Sequence, residues 1–378
     1  VNSAARRRRA APDQPAGPPK VALVLQGGGA LGAYHIGAFE ALHAAGFGPD
    51  WVAGISIGAF NAAIIAGNDP EDRLEQLSGF WHAISWPELP GLPPFRPLQI
   101  LHDQLSSAEA LAFGQPNFFS PRPINPYLLT DATPGELSFY DTAALHKTLP
   151  RFASFDRINR KTTRLTLGTT NIASGVLEFF DSHTQPIEVA HVIASGALPP
   201  GFPATEIAGK FYWDGGCVSN TPLEALAAAQ GEEALLVFVI DLWDAAGVLP
   251  NTMNEVFWRA KQIQYAGRAA HDLKIVESVA NHLHAQAIAR NAALPEMAGL
   301  PETLELRKGR LDLVHITYHP GLDHIASSDT EFSRSSIAAR RKSGRLDMER
   351  ALATAPWAHP MPAHHRARIH HVAGAASH

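Results

Sequence analysis

"KVALVLQGGGALGAYHIGAFEALHAAG", residues 20–46, decides the fold. The segment "KVALVLQ" is a continuous β-branched and leucine run, the composition of a strand buried on both faces of a parallel sheet. Three glycines follow directly. Beyond them Leu31, Ala38, Leu42 and Ala45 recur near helical spacing, and Gly46 is a natural helix terminator. "DWVAGIS" (50–56) reads as a second, short strand, and "IGAFNAAIIAGN" (57–68) as a helix of small residues stopped near Asp69-Pro70. Strand, glycine turn, helix, strand, tight turn, helix predicts an α/β protein with parallel strands.

Outward from this segment the pattern pauses and resumes. Residues 86–135 are proline-rich with scattered aromatics (Phe95, Phe113, Phe118, Phe119, Tyr127), a poor strand or helix but a reasonable cap. Lining an acyl groove and covering the core are equal readings of it. "TTRLTLGTTNI" (162–172) and "GVLEFFDS" (175–182) look like neighbouring strands, and "KFYWDGG" (210–216) and "ALLVFVIDLW" (234–243) add two more. Residues 254–290 carry a long amphipathic pattern with Val256, Ala260, Ile263, Gly267 and Ala270 on one stripe. "LDLVHITYH" (311–319) reads as a late strand and "RSSIAARRKSGRLDMERALA" (334–353) as a closing helix. From Pro356 the chain is rich in His, Ala and Pro, and residues 356–378 are expected to be a frayed, flexible tail.

The 378 residues suffice for one large core or two modest ones, and a net charge of −5 gives no reason to expect nucleic acid. A single cysteine, Cys217, excludes an intrachain disulfide framework and fits a reducing, cytoplasmic setting. No apolar run reaches the ~18 residues of a membrane-spanning helix. Residues 1–19, with Arg6, Arg7, Arg8 and Arg9, read as a disordered basic tail, either a solvated arm or a weak peripheral contact with an anionic membrane.

Three motifs carry chemistry. Gly54-Ile55-Ser56-Ile57-Gly58 is a G-x-S-x-G sequence between strand and helix, where a tight turn exposes the serine oxygen beside a helix N-terminus. "QGGGALG" (26–32) leaves bare N–H groups that can converge on an anion. Gly27, Gly29 and Gly32 also satisfy G-x-G-x-x-G. The acid that a dinucleotide site needs at the end of the second strand is missing, because Asp50 precedes that strand. An oxyanion hole is the better use, and losing one such donor typically costs ~3 to 4 kcal/mol of transition-state stabilisation. In "YWDGGCVSNTP" (212–222), Asp214 ends an apolar strand and Gly215 and Gly216 clear space around it. A carboxylate there can accept a proton from the serine, or it can simply form an Asp-Gly turn.

Together, the early glycine loop, the G-x-S-x-G and the later D-G-G resemble the patatin-like phospholipases, Ser-Asp dyad lipid acyl hydrolases. The stretch "ASGALPPGFPATEIAGKFYWDGGCVSNTP" (194–222) is similar to the family's approach to its aspartate. The resemblance covers residues 20–245, and residues 250–350 resemble the C-terminal extension of some bacterial members. It implies a three-layer α/β/α fold with a mainly parallel central sheet, the cap insertion at 86–135, and a mostly helical extension over 246–355. It implies Ser56 as nucleophile, Asp214 as its base, and Gly27, Gly28, Gly29 and Gly32 as the oxyanion loop. The substrate class implied is a (phospho)lipid ester, cleaved as by a phospholipase A or lysophospholipase. Acyl transfer or thioester hydrolysis on the same scaffold is the alternative, and a vestigial lipid-binding module is a further one. The chain departs from many relatives in carrying Leu31 where they have Arg or Lys: an oxyanion hole built of backbone amides survives the change, and a contribution of that cation to substrate or oxyanion binding is what it puts in question.

No cofactor is implied, and no calcium loop of the usual spacing appears. An α/β-hydrolase triad would need a later histidine, and His271, His282, His315 and His324 are candidates. Among nineteen histidines, however, a convenient position says little, and Ser56 comes unusually early for that fold. Cys217 and His35 are read as structural, His364, His365, His370 and His371 as tail composition rather than a metal site, and Asn220 and Pro222 as shaping the segment after Asp214.

Overall fold

The structure is a computed structural model describing residues 18–86, 96–227, 233–266, 268–291, 309–320 and 327–372. Most of the expected basic tail, Phe95, Gly267 and His324 lie outside the described residues. In chain order the elements begin β1 (Lys20–Leu25), α1 (Ala33–Ala44), β2 (Trp51–Gly54), α2 (Ile57–Ala66), α3 (Arg73–Ala83) and α4 (Arg96–Phe113). A two-residue ladder of β3 (Ser120–Pro121) with β4 (Tyr140–Asp141) is followed by α5 (Leu145–Phe152), α6 (Phe155–Asn159), β5 (Arg164–Asn171), β6 (Leu177–Asp181) and α7 (Val189–Ser195). Next come β7 (Thr205–Ile207), β8 (Lys210–Asp214), α8 (Leu223–Ala227), β9 (Leu235–Asp241), α9 (Met253–Ala266) and α10 (Ala269–Asn291). The described chain closes with β10 (Leu311–Thr317), α11 (Arg334–Thr354) and β11 (Ala367–Val372).

Six strands run parallel in the order β11-β10-β9-β1-β2-β5, and β6, β7 and β8 add antiparallel pairings beyond them. Alternation along β1 shows why both faces are covered. Val21, Leu23 and Leu25 belong to the core under α1, α2, α3 and α11, whereas Ala22 and Val24 belong to a second core under α8 and α10. The expected three-layer α/β/α arrangement is the observed one.

The register around β5 positions the site. Strand β6 pairs with Thr166–Thr170 of β5, overlapping the residues used by β2 (Arg164–Leu167) and by β8 (Thr169–Asn171). Each edge of a strand takes one neighbour at a time, so β2 and β8 share the edge opposite β6. They meet there end to end. Gly54 lies opposite Leu167 and Asp214 opposite Thr169, about two residues or ~7 Å apart along β5.

Two expectations are corrected. The proline-rich insertion contains an 18-residue helix, α4. Its prolines fall on either side of a run, 98–115, that contains none, so the composition of the whole insertion hid a helix-competent stretch. The expected frayed tail includes β11, the sheet's outer strand, in register with β10. Its histidines are tied down by partners: His370 Nε2 is 2.8 Å from Asp312 Oδ1, and His371 Nδ1 is 3.3 Å from His315 Nδ1.

Helix α1 is buried on nearly every side because α11 lies along it. The two backbones touch where both helices have glycine: a β-carbon at Gly37 would lie 1.7 Å from the Arg341 carbonyl oxygen, and one at Gly344 2.1 Å from that of Tyr34. Substituting Gly37→Ala is therefore expected to lower stability by at least about 1–3 kcal/mol through overpacking. The midpoint of urea unfolding should fall at constant m-value, and an unchanged midpoint would contradict this packing.

Candidate active site

Ser56 follows β2 in a backbone conformation that side chains seldom adopt, φ 56° and ψ −130°, and such residues cost on the order of 1–3 kcal/mol. Its N–H donates to the Ser195 carbonyl at 3.0 Å, and its carbonyl accepts from Ala59 N–H at 2.8 Å. Ser195 is itself fixed by donating Oγ–H to the Gly168 carbonyl at 2.6 Å. The flanking glycines of the G-x-S-x-G sequence are required by space: a β-carbon at Gly54 would strike the Gly58 carbonyl, and one at Gly58 the Leu25 carbonyl.

Asp214 ends β8 and is 1 % exposed. Its N–H donates to Ala197, its carbonyl accepts from Thr170 Oγ1, and its Oδ1 accepts from Gly216 N–H at 2.7 Å. Oδ2 is buried without a well-formed hydrogen bond. The Ser56 hydroxyl is near enough to the Asp214 carboxyl group to favour its ionised form. Burial dominates the electrostatics and pushes the Asp214 carboxyl up to about 7, against the opposing pull of the Ser56 hydroxyl and Gly216 N–H.

The glycine loop is built from behind. The Gly27 carbonyl accepts from Asn220 Nδ2 at 2.8 Å and from Trp243 Nε1 at 2.9 Å. The Gln26 side chain bridges Thr221 Oγ1 to the N–H groups of Leu242 and Trp243. The four glycines differ. Gly27 N–H is taken by the Asn220 carbonyl, and Gly32 packs against Ile57 and Trp81 away from the cavity lining. Gly28 and Gly29 line the cavity, and their N–H groups find no acceptor among the described residues. At Gly29, φ is 54° and a β-carbon would lie 2.2 Å from the Asp329 carbonyl oxygen. Leu31 is buried.

One cavity joins these pieces, with about 770 Å³ of empty space including its mouth, the size range of small-molecule sites. Gly28, Gly29, Ser56, Asp214 and Asn220 form its polar end. Phe60, Phe118, Phe119, Leu198, Phe202 and Phe332 form the apolar remainder, with Phe118 in ring contact with Phe60, Phe119, Phe202 and Phe332. Two insertion aromatics thus line the cavity, while Phe113 and Tyr127 are 70 % and 85 % exposed. Asp329, Thr330 and Phe332 come from the C-terminal region, which sequence reasoning gave no part in the site.

The other candidates lie elsewhere. His315 Nε2 is 2.7 Å from Asp241 Oδ2, His282 Nε2 meets Gln286, and neither they nor His271 line the cavity. His35 is fully buried against Asn61 Nδ2, and burial lowers it to about 3, so its ring is neutral. The Cys217 side chain reaches solvent, yet surrounding protein and the Asp214 charge push its thiol up to about 12, which leaves it protonated at neutral pH.

A family model described as patatin-like phospholipase matches residues 23–227, and a second, described as patatin phospholipase, matches residues 261–364. Patatin-like phospholipase domain-containing protein 6 of Mus musculus and of Homo sapiens is 46 % identical over 61 residues, 16 % of this chain and 4 % of the relative. The chain thus spans only a small fraction of those relatives' length. Among solved structures, VipD from Legionella pneumophila is 15 % identical, with 87 % of this chain and 68 % of that one covered at a TM-score of 0.33. ExoU of the Pseudomonas aeruginosa type III secretion system, crystallised in complex with SpcU, is 17 % identical, with 76 % and 66 % covered at a TM-score of 0.27.

Asp214 has a direct consequence for stability. A buried acid whose pKa is raised on folding imposes no penalty below its unfolded value near 4. The penalty grows as pH rises toward 7 and stays constant above it. Asp214→Asn should therefore stabilise the protein at pH 8 by roughly 2–4 kcal/mol, with the difference shrinking toward zero at pH 4. Equal destabilisation at both pH values, read from thermal unfolding, would contradict this environment for Asp214.

The family model for patatin-like phospholipases covers more than half of the sequence and contains the serine turn, the glycine loop and the aspartate strand, and the chain belongs to that family.

Proposed function

We propose that the protein is a serine acyl hydrolase acting on fatty-acyl esters of (phospho)lipids, with Ser56 as nucleophile and Asp214 as general base. The observation that carries this reading is the buried Asp214 carboxyl, with Oδ2 unsatisfied and the Ser56 hydroxyl favouring its ionised form, where both residues line an aromatic-walled cavity.

As Ser56 Oγ attacks the ester carbonyl, its proton passes to Asp214 Oδ2 and the carbonyl oxygen becomes an oxyanion. The free N–H groups of Gly28 and Gly29 are its donors, while Gly27 serves through its clamped carbonyl, which holds the loop. Collapse of the intermediate breaks the ester C–O bond, and Asp214 returns the proton to the departing alcohol. Asp214 then takes a proton from the water that attacks the acyl-serine, and as the C–Oγ bond breaks and the fatty acid leaves, Asp214 returns that proton to Ser56 Oγ. An ordinary aspartate is a poor base for a hydroxyl, and burial brings this one near the operating pH. The apolar walls suit an acyl chain and exclude water. Among the described residues no helix is long and apolar enough to cross a membrane.

A phospholipid panel read by mass spectrometry should show free fatty acid released by wild type. Ser56→Ala should lose at least about 10⁴-fold in turnover, and Asp214→Asn should lose nearly as much while remaining folded. Acyl products on an added alcohol or thiol, without fatty acid, would move the reading to acyl transfer. Failure of a fluorophosphonate to label Ser56 would revert it to a binding module. Because Asp214 must be ionised to act, kcat/KM should fall about tenfold per pH unit below about 7 and level off above it. A profile flat from pH 5 to 8 would remove Asp214 from the role of base.

A further inference from the structure

Arg340 is a charged residue in the middle of α11, 5 % exposed, far in sequence from the glycine loop. Its Nη1 donates to the Ala30 carbonyl at 3.1 Å and to the Glu331 carbonyl at 2.7 Å. Its Nη2 donates to the Ser328 carbonyl at 2.9 Å and lies 3.4 Å from Glu331 Oε2. One buried guanidinium thus ties the glycine loop to the 328–331 segment, which forms a wall of the cavity through Asp329 and Thr330.

The bond to Ala30 continues inward. The peptide that carries the Ala30 carbonyl also carries the Leu31 N–H, which donates to the Gly28 carbonyl at 3.1 Å. The peptide that carries the Gly28 carbonyl carries the Gly29 N–H, which has no acceptor among the described residues and belongs to a cavity-lining residue. The sequence of donors and acceptors is unbroken from the guanidinium through two peptide groups to Gly29. In a water-poor interior each hydrogen bond of such a chain polarises the next, and a cation at the acceptor end makes the terminal N–H a better donor.

We propose that Arg340 is a positioning residue for the oxyanion site: from the C-terminal region it fixes the glycine loop and strengthens the Gly29 N–H through the Ala30 and Gly28 peptides. The inference rests on the acyl-hydrolase reading above and gives the C-terminal region a part in the chemistry. Any benefit should appear when charge develops on the carbonyl oxygen, not when the ester binds.

The test is full-chain Arg340→Lys, which keeps a charge but cannot reach the Ala30 and Ser328 carbonyls together, compared with Tyr34→Phe. Tyr34 also joins α1 to α11, through its hydroxyl and Asp347 Oδ2 at 2.8 Å, a bond that involves no glycine-loop residue. On a soluble p-nitrophenyl ester, Arg340→Lys should lower kcat about tenfold or more with KM held within about twofold, and should slow fluorophosphonate labelling of Ser56 in proportion. Tyr34→Phe should lower the thermal midpoint and leave kcat unchanged. Wild-type kcat in folded Arg340→Lys, or an equal fall in kcat in Tyr34→Phe, overturns the inference while wild-type labelling preserves the hydrolase reading. An unlabelled wild type overturns both. Should Arg340→Lys not fold, amide hydrogen exchange on wild type decides: residues 28–31 and 328–333 should open as one unit, and independent opening of the loop refutes the link.

Discussion

Everything at the site depends on two strands of opposite direction meeting end to end along one edge of β5. Strand β2 arrives and stops at Gly54, and β8 arrives from the other side and stops at Asp214. Ladder pairing fixes both ends to within a residue, which brings Asp214 and the turn that carries Ser56 to the same stretch of β5. Asp214 is held directly by the ladder, and Ser56 by the tight turn after Gly54 and by the Ser195 carbonyl, so neither side chain depends on a long loop for its place.

That geometry carries an energetic tension. Asp214 is placed where its charge is poorly solvated, with Oδ1 stabilised by Gly216 N–H, Oδ2 left without a hydrogen-bond partner, and the Ser56 hydroxyl favouring the ionised carboxyl group. Ser56 is held in a strained backbone conformation. A fold selected only for stability would relieve both. They persist because close-packed glycines, the Ser195 contacts and the β5 ladder over-determine the local backbone, and stored strain of this kind gathers at functional sites. The second constraint is the glycine loop, whose shape is imposed by Asn220, Trp243 and Gln26 on one side and by Arg340 with the 328–331 segment on the other.

How much of this was legible follows from the range of the interactions. The run 20–46 announces strand, glycine turn and helix because periodicity and terminators are local. The pairing of Ser56 with Asp214 came from the company the motifs keep, since no local pattern states that β2 and β8 share an edge. Trp243 looked like the end of a strand, and only its buried indole N–H, which needs an acceptor, hinted at the clamp on Gly27. Arg340 was invisible because its loop partner is 310 residues away. Strand β11 was missed because "RIHHV" reads as polar until Asp312 and His315 on the neighbouring strand supply partners. Helix α4 was hidden by averaging composition over a window whose prolines lie on both sides of the helical run.

The account is tested most directly by following the Asp214 carboxyl itself, by isotope-edited infrared difference spectroscopy against Asp214→Asn across the pH range. It predicts an acid titrating near 7 in wild type and higher in Ser56→Ala, because removing the serine hydroxyl removes a group that stabilises the carboxylate. An acid titrating near 4, or one indifferent to loss of the hydroxyl, would contradict the pairing of the two side chains.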